Sequence, residues 1–456
     1  MSPKRLLHGA QILTMDARRR RYQNGAIQIE GDRIVAIGPS GELLAQAPVD
    51  AEQVDLQGRW ILPGLINTHV HTSQQLGRGI ADDVDLLTWL RQRVWPYESH
   101  MSEEDSYISS LLCGVEQIRS GVTCFAEPGG QFVSGMVRAV EQLGLRAALA
   151  KSTMDMGEGL PANWQRTTAQ ELDAQLALYE RWHGSASGRI RIWFGLRTIF
   201  NCSDELIVRS KELADRLGTG MHMHVAEIPE EIAFARQMRG APTVTHLNAL
   251  QVLGANLLAA HCVWLTDEEI ALFAEKDVKV SHNPAAAMRV LGFAHIPEML
   301  DAGVCVALGT DGAPCNNRMT LIDEMWLASL INKGRLHDPT VLPAEKVLEM
   351  VTCDGARAVL WEDEIGSLEA GKKADLVVIN PNSATMLPMH DPVANMVSSM
   401  REHNVESVMC DGKWLMRDRE IVVADEAEIL AAARQHAQSI ARRAGVRLTD
   451  RFNIVD

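Results

Sequence analysis

The sequence predicts an α/β protein, a (β/α)8 TIM-like barrel carrying a small β-sandwich built from both chain ends. Three observations lead there. Eight short apolar segments recur through the middle of the chain, each followed by a stretch of helical length, the order of a closed parallel barrel. Strand-and-turn signals cluster near both termini and bracket that middle. No glycine-rich phosphate fingerprint follows the first apolar segment, which disfavours an open dinucleotide-binding sheet. The chain divides accordingly into a sandwich module with a C-terminal helix (1–60 and 370–456) and a barrel (61–369).

In chain order, residues 6–13 and 26–30 read as strands, and Gly31-Asp32 reverses the chain toward 34–37, a turn chemistry that needs residues tolerant of unusual backbone angles. The barrel strands are then expected at 62–69, 122–127, 146–151, 189–196, 221–225, 257–263, 278–282 and 304–309. Strand signals return at 374–379 and 405–409, beside turns at Pro381-Asn382 and Asp411-Gly412. The alanine-rich stretch 425–445 is expected to be helical.

Bulk properties exclude several classes. The 456 residues fit one barrel with an attached module, and 46% hydrophobic residues supply a large core. A net charge of −15 would repel a phosphate backbone, so nucleic acid is not an expected partner. Eight cysteines are scattered with no C-x-x-C pair, which indicates neither a disulfide scaffold nor a cysteine zinc site. The start of the chain lacks the apolar stretch of a signal peptide, and no apolar run reaches the roughly 20 residues that span a bilayer. A cytoplasmic enzyme without a membrane partner is the expectation.

Active sites of such barrels form at the C-terminal ends of the strands, and this chain places unusual residues there repeatedly. Strand one ends in Asn67-Thr68-His69-Val70-His71 and strand five in His222-Met223-His224-Val225-Ala226-Glu227. Strands six, seven and eight end in Ala260-His261-Cys262, Ser281-His282-Asn283-Pro284 and Gly309-Thr310-Asp311-Gly312. Alternate residues of a strand point the same way, so both imidazoles of an H-x-H pair can meet one ion. Singly, each motif has a bland explanation, since an H-x-H pair, a core histidine or a Gly-Thr-Asp-Gly turn is often structural. Their shared register at strand ends of one barrel changes the odds. Three imidazoles and one carboxylate suit zinc with a position left for water, whose acidity the ion raises toward neutrality. A second carboxylate, Glu227, could carry a proton to a ring nitrogen.

At these residues the sequence resembles the amidohydrolase superfamily along nearly its whole length. Leu62-Pro63-Gly64-Leu65-Ile66-Asn67-Thr68-His69-Val70-His71, His224-Val225-Ala226-Glu227, Ser281-His282-Asn283-Pro284 and Gly309-Thr310-Asp311-Gly312-Ala313 carry the resemblance. So does the 365–376 run, which looks like that superfamily's return to its β-sandwich. The resemblance implies that His69, His71, His224 and Asp311 bind one Zn2+ or Fe2+ per chain. Asp311 would also shuttle a proton from water to departing ammonia, Glu227 would protonate the ring, and His261 would orient the water or the tetrahedral intermediate. Binuclear relatives carry a carboxylated lysine after strand four; here that region reads Gly195-Leu196-Arg197-Thr198, which favours one metal. Homologues commonly form dimers or tetramers, so a homo-oligomer is expected.

Within the superfamily the chain looks most like the methylthioadenosine/S-adenosylhomocysteine deaminases and s-triazine hydrolases. The segment from Asp85 to Leu90, with Trp89, and then Val94-Trp95-Pro96-Tyr97-Glu98 resembles the nucleoside deaminases' first loop. By that resemblance Trp89, Glu98, Arg197 and His282 are assigned to substrate binding, with Glu98 on the ribose hydroxyls. Two features depart from the deaminase pattern: Arg197 stands near the place of an adenine-contacting histidine, and Ala285-Ala286-Ala287 replaces a Ser-Asn pair. As a fixed cation with several donors, Arg197 could favour a carbonyl-bearing or anionic ring. The leading expectation is deamination of an adenosine-type nucleoside or related purine; the alternative is hydrolysis of a substituted triazine or oxopurine.

Overall fold

The computed structural model describes residues 3–446. The described residues form two sheets. The first five strands are β1 (Lys4–Leu13), β2 (Arg21–Glu30), β3 (Arg33–Pro39), β4 (Glu52–Asp55) and β5 (Trp60–Pro63). Eight parallel strands follow: β6 (Leu65–Asn67), β7 (Val122–Gly130), β8 (Arg146–Lys151), β9 (Ile190–Leu196), β10 (Met221–Val225), β11 (Leu257–His261), β12 (Lys279–His282) and β13 (Cys305–Leu308). They are neighbours in chain order. The ring closes where Thr68 N–H donates to the Leu308 carbonyl at 3.0 Å and Asp311 N–H to the His69 carbonyl at 2.9 Å. The fold is therefore the expected barrel. Helices outside the ring and the packed barrel interior bury both faces of its strands, which explains why they read as continuous apolar runs rather than alternating ones; every residue of β7, for instance, is buried. Three of the covering helices start on reciprocal caps, Ser102 with Asp105, Thr167 with Gln170 and Thr266 with Glu269, each satisfying orphan N–H groups of the first turn.

The four C-terminal strands are β14 (Leu376–Ile379), β15 (Val405–Cys410), β16 (Lys413–Arg417) and β17 (Glu420–Ile421). With β1–β5 they make a nine-stranded sheet in the order β17-β16-β15-β14-β5-β1-β2-β3, with β4 beside β1. The small sandwich is thus built from both ends of the chain. On β5 and β14 the alternation of side chains divides two cores. Ile61, Leu376 and Val378 join Leu7, Ile27 and Ile29 in the module's own core, while Trp60, Leu62, Val377 and Ile379 pack into that of the barrel.

One expected strand is in fact two. The run 62–69 breaks at Gly64, so Leu62 belongs to β5 of the small sheet and the barrel strand begins at Leu65. A Cβ on Gly64 would lie 2.1 Å from Thr123 Oγ1, so only glycine lets the chain cross from one sheet to the other here. Arg146, at the start of β8, ties the two sheets together. Its Nε lies 3.0 Å from Asp375 Oδ2 and its Nη2 2.6 Å from Asp411 Oδ1, all three residues being buried. The C-terminal helix Glu426–Ala444, grouped by sequence with the sandwich, rests on the barrel helix Glu103–Arg119. Arg119 Nε pairs with Glu426 at 2.9 Å, His436 Nδ1 with Asp105 at 2.6 Å, and Ile429, Ala433 and Ile440 join the barrel core. Among the described residues no helix is long and apolar enough to cross a membrane, and all eight cysteines are free.

Candidate active site

The C-terminal ends of the barrel strands bring five chemistry-bearing side chains into one buried cluster. His69 and His71 follow β6, His224 lies in β10, His261 ends β11 and Asp311 follows β13. Asp311 Oδ1 is 3.5 Å from His69 Nε2 and 3.6 Å from His71 Nε2. His71 Nε2 and His224 Nε2 are 3.3 Å apart. His261 Nε2 is 3.8 Å from Asp311 Oδ2 and 3.6 Å from Glu227 Oε1.

Partners on the far nitrogens turn every Nε2 inward. His69 Nδ1 meets His222 Nε2 at 2.9 Å, His224 Nδ1 meets the Arg197 carbonyl at 2.9 Å, and His261 Nδ1 meets Asn283 Nδ2 at 3.1 Å. Glu127 Oε1 stands 3.6 Å behind His71 Nδ1, its other oxygen fixed by the Thr72 N–H at 2.6 Å and hydroxyl at 2.7 Å. Such outer contacts fix both tautomer and ring orientation. They also sort the histidines. An amide nitrogen only donates, so Asn283 makes His261 Nδ1 an acceptor and leaves the neutral ring's proton on Nε2, aimed at Glu227 and Asp311. His261 is therefore turned as a donor toward the site, which leaves His69, His71, His224 and Asp311 as the candidate ligands.

The geometry fits a cation. His69 Nε2 is buried with no hydrogen-bond partner, a costly state for a polar atom unless something else fills its lone pair. His69, His71 and Asp311 offer ligand atoms within 4.8 Å of one another, as do His69, His224 and His261. Three imidazoles and a carboxylate suit Zn2+ or Fe2+. Burial drives the protonation of His224 and His222 well below the ordinary histidine range, which keeps His224 in its ligand form.

Strained backbone accompanies the cluster. Ala226 (φ 50°), His261 (φ 71°), Cys262 (φ 50°) and Asp311 (φ 62°) adopt left-handed angles, each costing about 1–2 kcal/mol for a residue with a Cβ. At Ala226 the compensation is visible. Glu231 folds back from the helix Pro229–Arg239, and its two carboxylate oxygens accept the N–H groups of Ala226 (2.8 Å) and Glu227 (2.9 Å). Gly309 serves the same end by close approach, since a Cβ there would lie 2.4 Å from Asn283 Oδ1.

Two nearby carboxyls are pushed apart in acidity. Burial, with the charges of Asp311 and Glu231, pushes Glu227 up to about 8, so it holds its proton at neutral pH. Burial would raise Asp311 too, but the imidazoles of His69, His261 and His71 around it hold it well below the usual carboxylate range. An acid and a base thus sit side by side, the pattern of proton-transfer chemistry. Beside them lies a narrow cavity, lined by Leu86, Trp89 and Leu90, by Ala286, Val290 and Leu291, and by Arg197 and Thr198.

Residues 60–415 match the amidohydrolase family profile. The chain belongs to the amidohydrolase family. It is 40% identical over 408 residues to the 5-methylthioadenosine/S-adenosylhomocysteine deaminase of Moorella thermoacetica, covering 89% of this chain and 93% of that one. It is 36% identical over 418 residues to the 5'-deoxyadenosine deaminase of Methanobrevibacter smithii, covering 91% and 94%. Among solved structures, an adenosine deaminase from Xanthomonas campestris with bound zinc superposes with a TM-score of 0.91 at 29% identity, covering 96% of this chain and 98% of that one.

Of the residues read from sequence, Trp89 and Arg197 line this amidohydrolase's cavity together with His71, His224, Glu227, His261 and Asp311. Glu98 does not reach that wall. It is half-buried in the helix Trp95–Ser99 and accepts from Gln74 Nε2 at 3.2 Å; burial raises its carboxyl even against the charges of Arg197 and His71. His282 is not brought to the cavity either. Ser281 Oγ meets Thr68 inside the barrel and Asn283 meets His261, so strand alternation sends the intervening His282 to the opposite side. There it is buried with neither nitrogen partnered. Sequence reading missed Glu127, His222, Glu231 and Asn283, which touch His71, His69, Glu227 and His261 rather than the cavity. Two of them left a signal: Glu127 ends a barrel strand, and His222 forms an H-x-H pair with His224. In place of a lysine after β9 stands Arg197, and Lys151, ending β8, is engaged by Glu171 at 2.6 Å.

Proposed function

We propose that this amidohydrolase is a mononuclear, metal-dependent aminohydrolase that deaminates an adenosine-type nucleoside or related purine. One observation carries the reading: the carboxyls of Glu227 and Asp311 flank His261 Nε2 at 3.6 and 3.8 Å, beside the candidate ligands His69, His71 and His224. Held by His69, His71, His224 and Asp311, zinc would supply Lewis acidity and an acidified water. The named relatives, deaminases of adenosine-type compounds, support the substrate class.

The chain's own groups account for the protons. Water adds to the amino-bearing carbon while Glu227 gives its proton to the adjacent ring nitrogen. Asp311 takes a proton from the attacking water and passes it to the amino group, which leaves as ammonia, and the water's second proton returns to Glu227 as the carbonyl forms. His261 donates from Nε2 to the oxygen as charge gathers on it. One C–N bond is exchanged for one C–O bond, and the amidine plus water becomes a cyclic amide plus ammonia. Trp89, Leu86 and Leu90 give the flat ring an apolar wall that limits competing water. The test is ammonia release from adenosine, 5'-deoxyadenosine, methylthioadenosine and S-adenosylhomocysteine by zinc-loaded protein, with elemental analysis expected to give about one metal per chain. Absence of ammonia from all four, or two tightly held metals, would overturn the reading.

A further inference from the structure

Arg197 follows β9 with its backbone fixed. Its N–H donates to the Thr153 carbonyl at 3.3 Å and its own carbonyl accepts from His224 Nδ1 at 2.9 Å. The side chain is 7% exposed and lines the same cavity as Glu227, His261 and Asp311. Its Nε is buried without a hydrogen-bond partner, and the guanidinium makes no ion pair among the described residues. The contrast with Arg146 is instructive, because that equally hidden guanidinium has two aspartates against it. Burying a permanent cation is unfavourable unless an acceptor meets it. Here no acceptor is supplied among the described residues, and the open side is the cavity.

We propose that Arg197 is a specificity-determining residue that receives an oxygen on the substrate's ring, a carbonyl or its enolate, so that the amino-heterocycles turned over best carry such an oxygen besides the amino group. A guanidinium has only donors, and its strongest partners are oxygens bearing full or partial negative charge. An unsubstituted adenine offers it only neutral ring nitrogens. Arg197 and Glu227 line the same narrow cavity, so a ring protonated by Glu227 lies beside the cation. Trp89, on the cavity wall, supplies apolar surface but no acceptor. This assignment rests on the aminohydrolase reading and narrows its substrate class.

The experiment compares kcat/KM for zinc-loaded wild type and Arg197→Gln on ring pairs that differ by one oxygen: guanine with 2-aminopurine, isoguanine with adenine, and 8-oxoadenine with adenine. In wild type at least one oxygenated ring should exceed its partner by on the order of 10- to 10²-fold, the usual worth of a charge-assisted hydrogen bond. In Arg197→Gln that ratio should collapse toward one. Binding of the products xanthine and hypoxanthine gives a readout without turnover: wild type should hold xanthine more tightly, and the variant should not. Equal or reversed ratios in every wild-type pair, or a ratio that survives Arg197→Gln, would overturn the proposal. So would an Arg197-dependent preference for S-adenosylhomocysteine over methylthioadenosine, because the cation would then serve a tail carboxylate. If neither the rings nor the nucleosides release ammonia while xanthine binding still depends on Arg197, the aminohydrolase reading fails and the oxygen site stands. If the variant does not fold, the wild-type ratios and product affinities decide alone.

Discussion

Glu227 and Asp311 are both buried carboxyls beside His261, yet their surroundings leave one protonated and the other ionised. Glu227→Gln keeps a hydrogen bond but cannot deliver a proton. It should retain the metal and lose about 10²–10⁴-fold in kcat, measured by steady-state ammonia release alongside elemental analysis. The sign of the pH effect follows from the direction of the shift. Glu227 is a proton donor below its value of about 8, so wild-type kcat/KM should fall as pH rises through that region. The residual activity of Glu227→Gln should lack this alkaline limb; a limb that persists belongs to another group. His69→Ala removes the imidazole that faces Asp311, and purified protein should then carry far less than one metal per chain. The residues that gather in this cluster were legible from sequence because each stands at a strand end with the right parity. Asn283 and Glu231 were not, since their roles depend on which backbone or ring nitrogen they reach across the fold.

At the scale of elements, the segment between β6 and the helix Glu103–Arg119 shapes the substrate side of the site. Its short turns at Leu86–Thr88, Trp89–Val94 and Trp95–Ser99 put Trp89 on the cavity wall, with Trp89 Nε1 donating to the Pro314 carbonyl at 3.3 Å, and set Glu98 against Gln74. If this segment cradles a sugar, Glu98→Ala should lower kcat/KM for adenosine relative to adenine by on the order of 10²-fold, the loss of two charge-assisted hydrogen bonds. An adenosine-to-adenine ratio that does not move would show that Glu98 supports the loop instead. The existence and order of the barrel strands could be read from apolar runs, but the split of 62–69 could not. Leu62 and Leu65 look alike in sequence, and only the Gly64 contact with Thr123 separates them. His282 was misplaced for a related reason: the motif was recognised, while the parity of its residues was not followed through.

For the whole molecule, the attachment of the small sheet to the barrel is electrostatic as well as apolar. Arg146→Met would strand Asp375 in a buried place without its cation, and Asp411 with only the longer contacts to Arg189 and Lys373, at 3.6 and 3.7 Å. Removing one partner of a buried pair typically costs about 3–5 kcal/mol, so the denaturant midpoint should drop clearly; an unchanged midpoint would remove this cluster from the stability of the fold. Sequence composition signalled two β-rich ends, but not that the C-terminal helix would leave the sheet module and lie on the barrel. That choice is made by Ile429, Ala433 and Ile440 finding apolar neighbours there, with Asp105 receiving His436 and Arg443.

Because β5 sits between β1 and β14, the order of synthesis matters. A ribosome finishes β5 roughly 300 residues before β14, a delay on the order of 15–60 s at bacterial elongation speeds. Throughout that interval the outer edge of β5, with Trp60, Ile61 and Leu62 along it, has no strand beside it, and such edges invite pairing with other chains. Arg146 likewise emerges long before either aspartate that neutralises it. The nascent chain is therefore most exposed to aggregation while its barrel is nearly complete. Chains released at about residue 370 should form inclusion bodies, although they carry His69, His71, His224 and Asp311, and supplying the missing strands as a separate 371–456 polypeptide during expression should recover soluble protein.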